Sequence, residues 1–138
     1  MSNLFNNNVI VCDCGGSMDI DGKKLAKACG MTTPCDVSTS LCRDETDRLA
    51  KAMTEARSNG TELIVACTQE SAMFDGIAEE NECVAPATVN IREMAGWTDQ
   101  SANSLPKMAA LMRQAGDSKR PGRSLSLISH GRCLIYAD

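Results

Sequence analysis

The 138-residue sequence contains few aromatic side chains and a single histidine, and it has no basic run and no long apolar run. Aromatic residues make up 3% of the chain, which argues against a groove that binds nucleic acid by base stacking. The formal net charge is −4, so neither nucleic acid nor an anionic membrane is expected as a partner. No segment approaches the roughly 20 apolar residues that span a bilayer, and we expect no membrane insertion.

The sequence also lacks the usual marks of an enzyme or of a secreted protein. No nucleophile–base pair, paired catalytic carboxylates or glycine-rich phosphate loop stands out, so we do not expect a catalyst that acts alone. The first residues, MSNLFNNN, have neither the basic start nor the apolar core of a secretory signal, which predicts a cytoplasmic location.

Cysteine, in contrast, is abundant. Eight cysteines occur, at positions 12, 14, 29, 35, 42, 67, 83 and 133. Because the cytoplasm keeps thiols reduced, this number indicates metal or redox chemistry rather than a disulfide framework. Packing in the core is the ordinary explanation for Cys29, Cys35 and Cys83, since free cysteine is among the most buried residue types.

The hydrophobic pattern predicts a single α/β domain over residues 1–138. Strands are predicted at 9–12, 36–41, 62–67 and 87–91, and each is followed by a helical pattern. Apolar stripes define three of the helices: Leu25, Ala28 and Cys29; Leu49, Ala52, Met53 and Ala56; Leu105, Met108, Ala109 and Met112. This alternation predicts a mostly parallel, Rossmann-like sheet with helices on both faces, and the tail SLSLISHGRCLIYAD predicts a C-terminal β-hairpin around His130.

Four cysteines are predicted to lie at the edge of the sheet where ligands bind. Cys14, Cys42 and Cys67 each follow a strand and precede a helix, and Cys12 is two residues before Cys14. The carboxyl ends of parallel strands form the ligand edge of such sheets, and helix N-termini favour thiolates. Four converging thiolates suit an iron–sulfur cluster or a zinc ion.

Residues near these cysteines are candidates for holding the same group. Gly15 and Gly16 would let the backbone approach an inorganic group closely. Asn90 and Arg92 follow the fourth predicted strand, and the arginine would offset the charge of four thiolates. For Asn90, Arg92 and Glu93 the alternative is a salt bridge that ties strand to helix. Trp97, the only tryptophan, would either cover the site or belong to the core.

Four segments, in this order, carry a resemblance to known proteins: VIVCDCGGS, SLCRDE, VACTQESAMF and VNIREMAGW. They resemble the N-terminal domain found in the A-type subunit of heterodisulfide reductases. They resemble still more the first domain of bacterial four-iron ferredoxin-type proteins, to which PKMAAL and GRCLIYAD are also similar. The resemblance covers nearly the whole chain. It implies an α/β domain that binds a cluster, most simply [4Fe-4S], and relays electrons among ferredoxin- or flavin-containing subunits or domains.

The resemblance also implies a ligand set, with one departure. Its cysteines correspond here to Cys12, Cys14, Cys42 and Cys67. After VNIRE the heterodisulfide reductase domain usually carries a further cysteine, and this chain has Met94-Ala95-Gly96 there. The fourth ligand is therefore open between Cys12 and Cys133. The longer relatives continue into ferredoxin motifs, so we expect either part of a longer redox protein or a stand-alone module.

Three other functions fit parts of the sequence. A thiol–disulfide protein would cycle Cys12 with Cys14, or Cys42 with Cys67. A zinc-stabilised interaction module would use the same thiols for a structural ion. The segment DCGGSM differs at one position from the D-x-S-G-S-M signature of von Willebrand A domains. There Gly15 replaces a serine ligand, which weakens a site for a hard cation.

Overall fold

The structure of the protein, a computed structural model, describes residues 2–4, 6–67, 69–100, 103–117, 131, 135 and 136. The elements along the chain are β1 (Ser2–Leu4), β2 (Asn7–Cys12), α1 (Gly22–Cys29), β3 (Val37–Ser38), α2 (Thr46–Ser58), β4 (Leu63–Ala66), α3 (Ser71–Glu80), β5 (Ala87–Thr88), a π-helical turn (Arg92–Gly96) and α4 (Leu105–Gly116). None of the helices within these residues is both long and apolar enough to cross a membrane.

The sheet is built around a parallel core in the order β3-β2-β4-β5. Strand β1 adds an antiparallel partner to the first half of β2, whereas β3 pairs with the second half. The first parallel strand thus lies between the second and the third, as in doubly wound sheets of the flavodoxin type. The chain leaves β2 toward β3 on one side and later returns to β4 on the other, which creates a switch point between β2 and β4.

Helices cover both faces of the sheet, as the sequence predicts. On one face α1 and α4 pack over Val9, Val11 and Ile64. On the other face α2 and α3 pack over Ile10 and Val65. Strands buried on both faces need apolar side chains at successive positions, which explains the unbroken runs VIVC and LIVA. The α/β fold class is confirmed.

The first helix is held at both ends by side-chain and backbone signals in its sequence. Asp21 caps its N-terminus, because a side-chain oxygen accepts hydrogen bonds at 3.0 Å from the N–H groups of Lys23 and Lys24. Gly30 ends the helix in the left-handed conformation at φ 75°. Of the predicted apolar stripe, however, Ala28 is exposed and Ala26 is buried in its place.

Several predicted boundaries are wrong. The strands predicted at 36–41 and 87–91 are two residues long, because the backbone bends at Thr39 and turns after Val89, where the Ile91 N–H donates to the Val89 carbonyl. The pattern also missed β1 and the π-helical turn. The predicted C-terminal hairpin, with His130 and Cys133, lies outside the described residues.

Candidate cysteine site at the carboxyl edge of the sheet

The candidate site lies at the switch point between β2 and β4. Cys12 ends β2, and Cys67 follows the last residue of β4. Val11 and Ala66 are register partners, so Cys12 and Cys67 are next to one another across the two strands. Both belong to the buried cluster on the α2 and α3 face. The fold therefore brings together two cysteines that are 55 positions apart in the chain.

A small cavity opens beside this pair. Its wall includes three of the four predicted ligands, Cys12, Cys14 and Cys67, together with Gln69 and Arg92. The volume is about 10 Å³, which is room for about one water molecule. Three of the predicted ligands thus border one small space.

The side chains of Cys12 and Cys67 are hydrogen-bonded to one another. The Cys67 thiol donates to the Cys12 sulfur, and this contact, with N–H donors from Leu41 and Cys14, lowers the pKa of Cys12 to about 6 although burial opposes it. The Cys14 N–H lies 3.4 Å from the Cys12 sulfur. The same contact raises the pKa of Cys67, and burial raises it further. The pair is therefore one thiolate and one thiol at neutral pH.

The turn after β2 places Cys14 at the rim of the cavity. Cys14, Gly15 and Gly16 all have left-handed backbones, with φ values of 58°, 70° and 74°. The Asp13 carboxylate accepts the Gly16 N–H at 2.9 Å, and the Gly15 N–H donates to the Thr39 carbonyl at 2.7 Å. Both glycines are exposed and do not line the cavity. Their conformational freedom shapes the turn that carries Cys14.

Arg92 is the cation of the site. Its guanidinium lies beside the Cys14 sulfur, with Nη1 at 2.8 Å, and also contacts Gln69 and Glu93. The same group lies over the Trp97 ring, 4.4 Å from its centroid. The Glu93 carboxylate first, and Cys14 second, raise the pKa of Arg92 further. Arg92 thus lies beside one predicted ligand and is also paired with Glu93, its neighbour in the same π-helical turn.

Trp97 is not a core residue. Its side chain is 57% exposed, and its indole N–H donates to the Ser17 hydroxyl at 3.2 Å. The π-helical turn thus places Arg92 beside Cys14 and Trp97 against the turn that contains Ser17. Asn90 precedes this π-helical turn, and its side-chain oxygen accepts the Glu93 N–H at 3.0 Å. Asn90 does not line the cavity.

Cys42, the fourth predicted ligand, lies farther from the cavity than the other three. It packs against the same buried cluster as Cys12 and Cys67, and its charge further raises the pKa of Cys67. It does not line the small cavity. The sequence predicts Cys42 and Cys67 at helix starts, but α2 begins at Thr46 and α3 at Ser71, so each cysteine lies four positions before the first residue of its helix.

Ser38 is a site residue that sequence reasoning missed. It is the register partner of Cys12 on β3, it is 1% exposed, and its hydroxyl has no hydrogen-bond partner within the part of the chain that the structure describes. Buried hydroxyls normally have a hydrogen-bond partner, so an unpaired hydroxyl beside a thiolate indicates a position at which a bound group would supply one. The pattern gave one signal, a polar residue inside an otherwise buried strand.

The remaining described cysteines differ from this set. Cys29 and Cys35 are buried in the cluster on the α1 and α4 face. Burial raises the pKa of both, that of Cys35 to about 12. They are packing residues, as expected. All seven cysteines of the described ranges are free thiols.

The described residues contain no group of three or more His, Cys, Asp or Glu side chains already arranged as a metal site. Comparisons with protein-family models, with curated proteins and with solved structures gave no match. The resemblance to heterodisulfide reductases and to four-iron ferredoxin-type proteins therefore stays a prediction from the sequence.

Proposed function

We propose that this edge of the sheet binds an iron–sulfur cluster, most simply [4Fe-4S], and that the domain transfers electrons to ferredoxin- or flavin-containing partners in the cytoplasm. One observation carries the proposal: four cysteines from three separate loops gather at the switch point. Cys12, Cys14 and Cys67 line one cavity, and Cys42 lies within electrostatic reach of Cys67. Four thiolates are the ligand set of such clusters.

The groups around the sulfurs suit an anionic guest. The N–H groups of Cys14 and Leu41 point at the Cys12 sulfur, and the Gln69 N–H donates to Cys67. The Ser38 hydroxyl on the neighbouring strand has no partner among the described residues and would be available as a further donor. Hydrogen bonds to sulfur stabilise the more negative state of a cluster and raise its potential.

Arg92 supports the same proposal. A cation that touches Cys14 would compensate part of the charge of four thiolates, and the half-buried guanidinium is held in place by Gln69, Glu93 and Trp97. Arg92 and Trp97 together would limit the access of water to the rim of the site. When bound, the cluster supplies a centre that accepts and releases one electron.

The size of the cavity requires a movement of the protein before a cluster can bind. Its room for about one water molecule is too small for a cluster, so the sulfurs must separate when the cluster enters. The turn that carries Cys14 is suited to this movement. It is exposed at Gly15 and Gly16, whereas Cys12 and Cys67 are fixed at the ends of central strands.

The test is anaerobic reconstitution of the purified chain with iron, sulfide and thiol. The expected product is brown, contains about four irons and four sulfides per chain, and bleaches with dithionite. The variants Cys14→Ser, Cys42→Ser and Cys67→Ser should each lose most of the iron. Cys83→Ser is the matched control, because Cys83 is half-buried and its sulfur donates to the Asn81 carbonyl away from the cavity.

Two further readouts make the experiment decisive. Quenching of fluorescence from Trp97, the only tryptophan, should accompany cluster uptake, because its ring touches a group of the site. Far-UV circular dichroism of each variant shows whether iron is lost without loss of the fold. A folded protein that takes up no iron under these conditions overturns the proposal, and stoichiometric zinc would identify a structural metal site instead.

A further inference from the structure

We propose that Cys12 and Cys67 form a reversible disulfide when the cluster-free protein meets a hydroperoxide, and that this disulfide closes the site. The disulfide itself needs only the geometry of the two cysteines. The further inference that this disulfide prevents cluster binding rests on the proposed function. Neither of the cysteine pairs that the sequence suggested, Cys12 with Cys14 or Cys42 with Cys67, is the one that the fold favours.

The sheet register supplies the geometry for this disulfide. Cys12 and Cys67 follow the register pair Val11 and Ala66 on adjacent parallel strands. Neighbouring strands lie about 4.8 Å apart, which falls inside the range of roughly 4.4–6.8 Å between the Cα atoms of disulfide-bonded cysteines. Both side chains face the α2 and α3 side of the sheet, and the Cys67 thiol already touches the Cys12 sulfur.

The competing partners are held elsewhere. The Cys14 sulfur faces the Arg92 guanidinium at 2.8 Å. Cys42 contributes to the buried cluster but does not line the cavity. Cys29 and Cys35 lie on the other face of the sheet. The Cys12 sulfur thus has Cys67 as its nearest thiol partner among the described residues.

The chemistry balances with a hydroperoxide as the oxidant. One thiol sulfur attacks a peroxide oxygen; the S–O bond forms, the O–O bond breaks, and for hydrogen peroxide the other oxygen leaves as water. The second thiol sulfur then attacks the resulting sulfenic acid, so the S–S bond forms and the S–O bond breaks, with release of a second water. The two sulfurs lose two electrons, which reduce the peroxide.

Access favours a small oxidant. The exposed fractions of Cys12 and Cys67 are 2% and 8%, so a bulky disulfide such as oxidised glutathione is kept from the pair. The cavity beside them admits a molecule close to water in size. Hydrogen peroxide is among the smallest oxidants of this kind. Once oxidised, neither sulfur can ligate a metal, and a dithiol reductant restores both.

The test begins with metal-free, reduced protein in the presence of a chelator. After treatment with hydrogen peroxide, the remaining thiols are alkylated and the chain is cleaved on the amino side of aspartate. This cleavage separates Cys12 from Cys14 at Asp13, and Cys67 from Cys83 at Asp75. The proposal predicts that fragment 1–12 is joined to fragment 47–74, each of which contains a single cysteine.

Variants identify the pair independently of the fragments. Cys12→Ser and Cys67→Ser should lose the linked product, whereas Cys14→Ser and Cys83→Ser should form it as the wild type does. A different linkage, such as a disulfide inside fragment 21–35, or over-oxidation without any linkage, would overturn the proposal. The wild-type map decides the question even where a variant fails to fold.

Reconstitution then separates this inference from the proposed function. The oxidised protein should take up at least tenfold less iron than the reduced protein, and treatment with dithiothreitol should restore the uptake. If the reduced protein takes up no iron but the linkage between fragments 1–12 and 47–74 forms, the proposed cluster is wrong and the proposed disulfide is supported. If the protein takes up iron normally but that linkage does not form, only the proposed disulfide is wrong.

Discussion

The low pKa of Cys12 leads to a prediction about the free energy of unfolding of the protein without a cluster. In reduced, metal-free protein the folded state holds Cys12 as a thiolate above pH 6, whereas the unfolded chain binds the proton up to the ordinary pKa of 9.0. The unfolded state therefore binds more protons between these values, and stability must rise with pH. This contribution is fully present above pH 9 and is lost as the pH falls through 6.

The size of the effect follows from the shift. Three pKa units correspond to a contribution of at most about 4 kcal/mol, and integration from pH 6 to pH 8.5 gives about 3 kcal/mol. Cys67 has the opposite sign. Its raised pKa keeps it a thiol in the folded protein, so it reduces stability only above the pH at which an unfolded thiol ionises. A range that ends at pH 8.5 keeps this second effect small.

The assay is urea unfolding of the wild type and of Cys12→Ala, each with reductant and chelator, followed by far-UV circular dichroism. The quantity of interest is the difference between their free energies of unfolding, because other titrating groups are common to both proteins. We expect this difference to grow by about 3 kcal/mol from pH 6 to pH 8.5. A difference that does not change with pH would refute the thiolate assignment.

A second background tests the cause. The thiol of Cys67 is the largest influence that lowers the pKa of Cys12. In Cys67→Ala protein, the pH dependence that is due to Cys12 should therefore shrink and move to higher pH. The N–H donors of Leu41 and Cys14 stay in place, so part of it should persist. An unchanged pH dependence would mean that Cys67 is not the donor.

Three further predictions concern other parts of the molecule. Gly22→Ala would place a Cβ 2.5 Å from the Cys35 carbonyl oxygen and should cost about 1–3 kcal/mol by chemical denaturation. Gly76→Ala, at a half-buried position of α3 where a Cβ meets nothing within 4 Å, should stabilise the protein by about 0.5–1 kcal/mol. Asp21→Ala removes the cap of α1 and should lower the free energy of unfolding at pH 7, measured by chemical denaturation. Because two N–H groups and Lys24 lower the pKa of Asp21, this difference from the wild type should vanish in acid. If the cluster binds, Arg92→Gln should lower the midpoint potential of the cluster by roughly 40 mV. This shift equals about 1 kcal/mol, the interaction expected for a charge near a thiolate in contact with solvent. Arg57→Gln is the control and should not change the potential, because Arg57 lies beside Asn81 at the opposite edge of the sheet.

The sequence allowed the sheet and the position of the site to be predicted because both depend on strong local signals. The apolar runs that end at Cys12 and just before Cys67 are too hydrophobic for any exposed element, and their alternation with amphipathic helices leaves a parallel sheet as the simple solution. Once the sheet is parallel, residues that follow its strands must gather at one edge. Cys12, Cys14, Cys42 and Cys67 satisfy this rule, since they all lie at that edge.

The details of the site depend on contacts that a linear pattern does not contain. Which cysteine touches Cys12 is decided by the register of β2 against β4, and the pattern around Cys67 leaves that register open. The π-helical turn depends on how residues 92–96 pack: a Cβ on Gly96 would lie 2.3 Å from the Met18 sulfur. The same close approach places Arg92 and Trp97 beside the cysteine turn, and no propensity scale describes it.

Burial alone does not decide what a cysteine does in this protein. Cys12 and Cys35 are 2% and 6% exposed, yet the pKa of one falls to about 6 and that of the other rises to about 12. Cys35 has only a methionine sulfur, 3.8 Å away, as a partner among the described residues, whereas Cys12 receives donors from a thiol and from two backbone N–H groups. Donors of this kind gather where strands end and the backbone turns away from the sheet. The end of a central strand is therefore the place in such a fold where a buried cysteine becomes a reactive one.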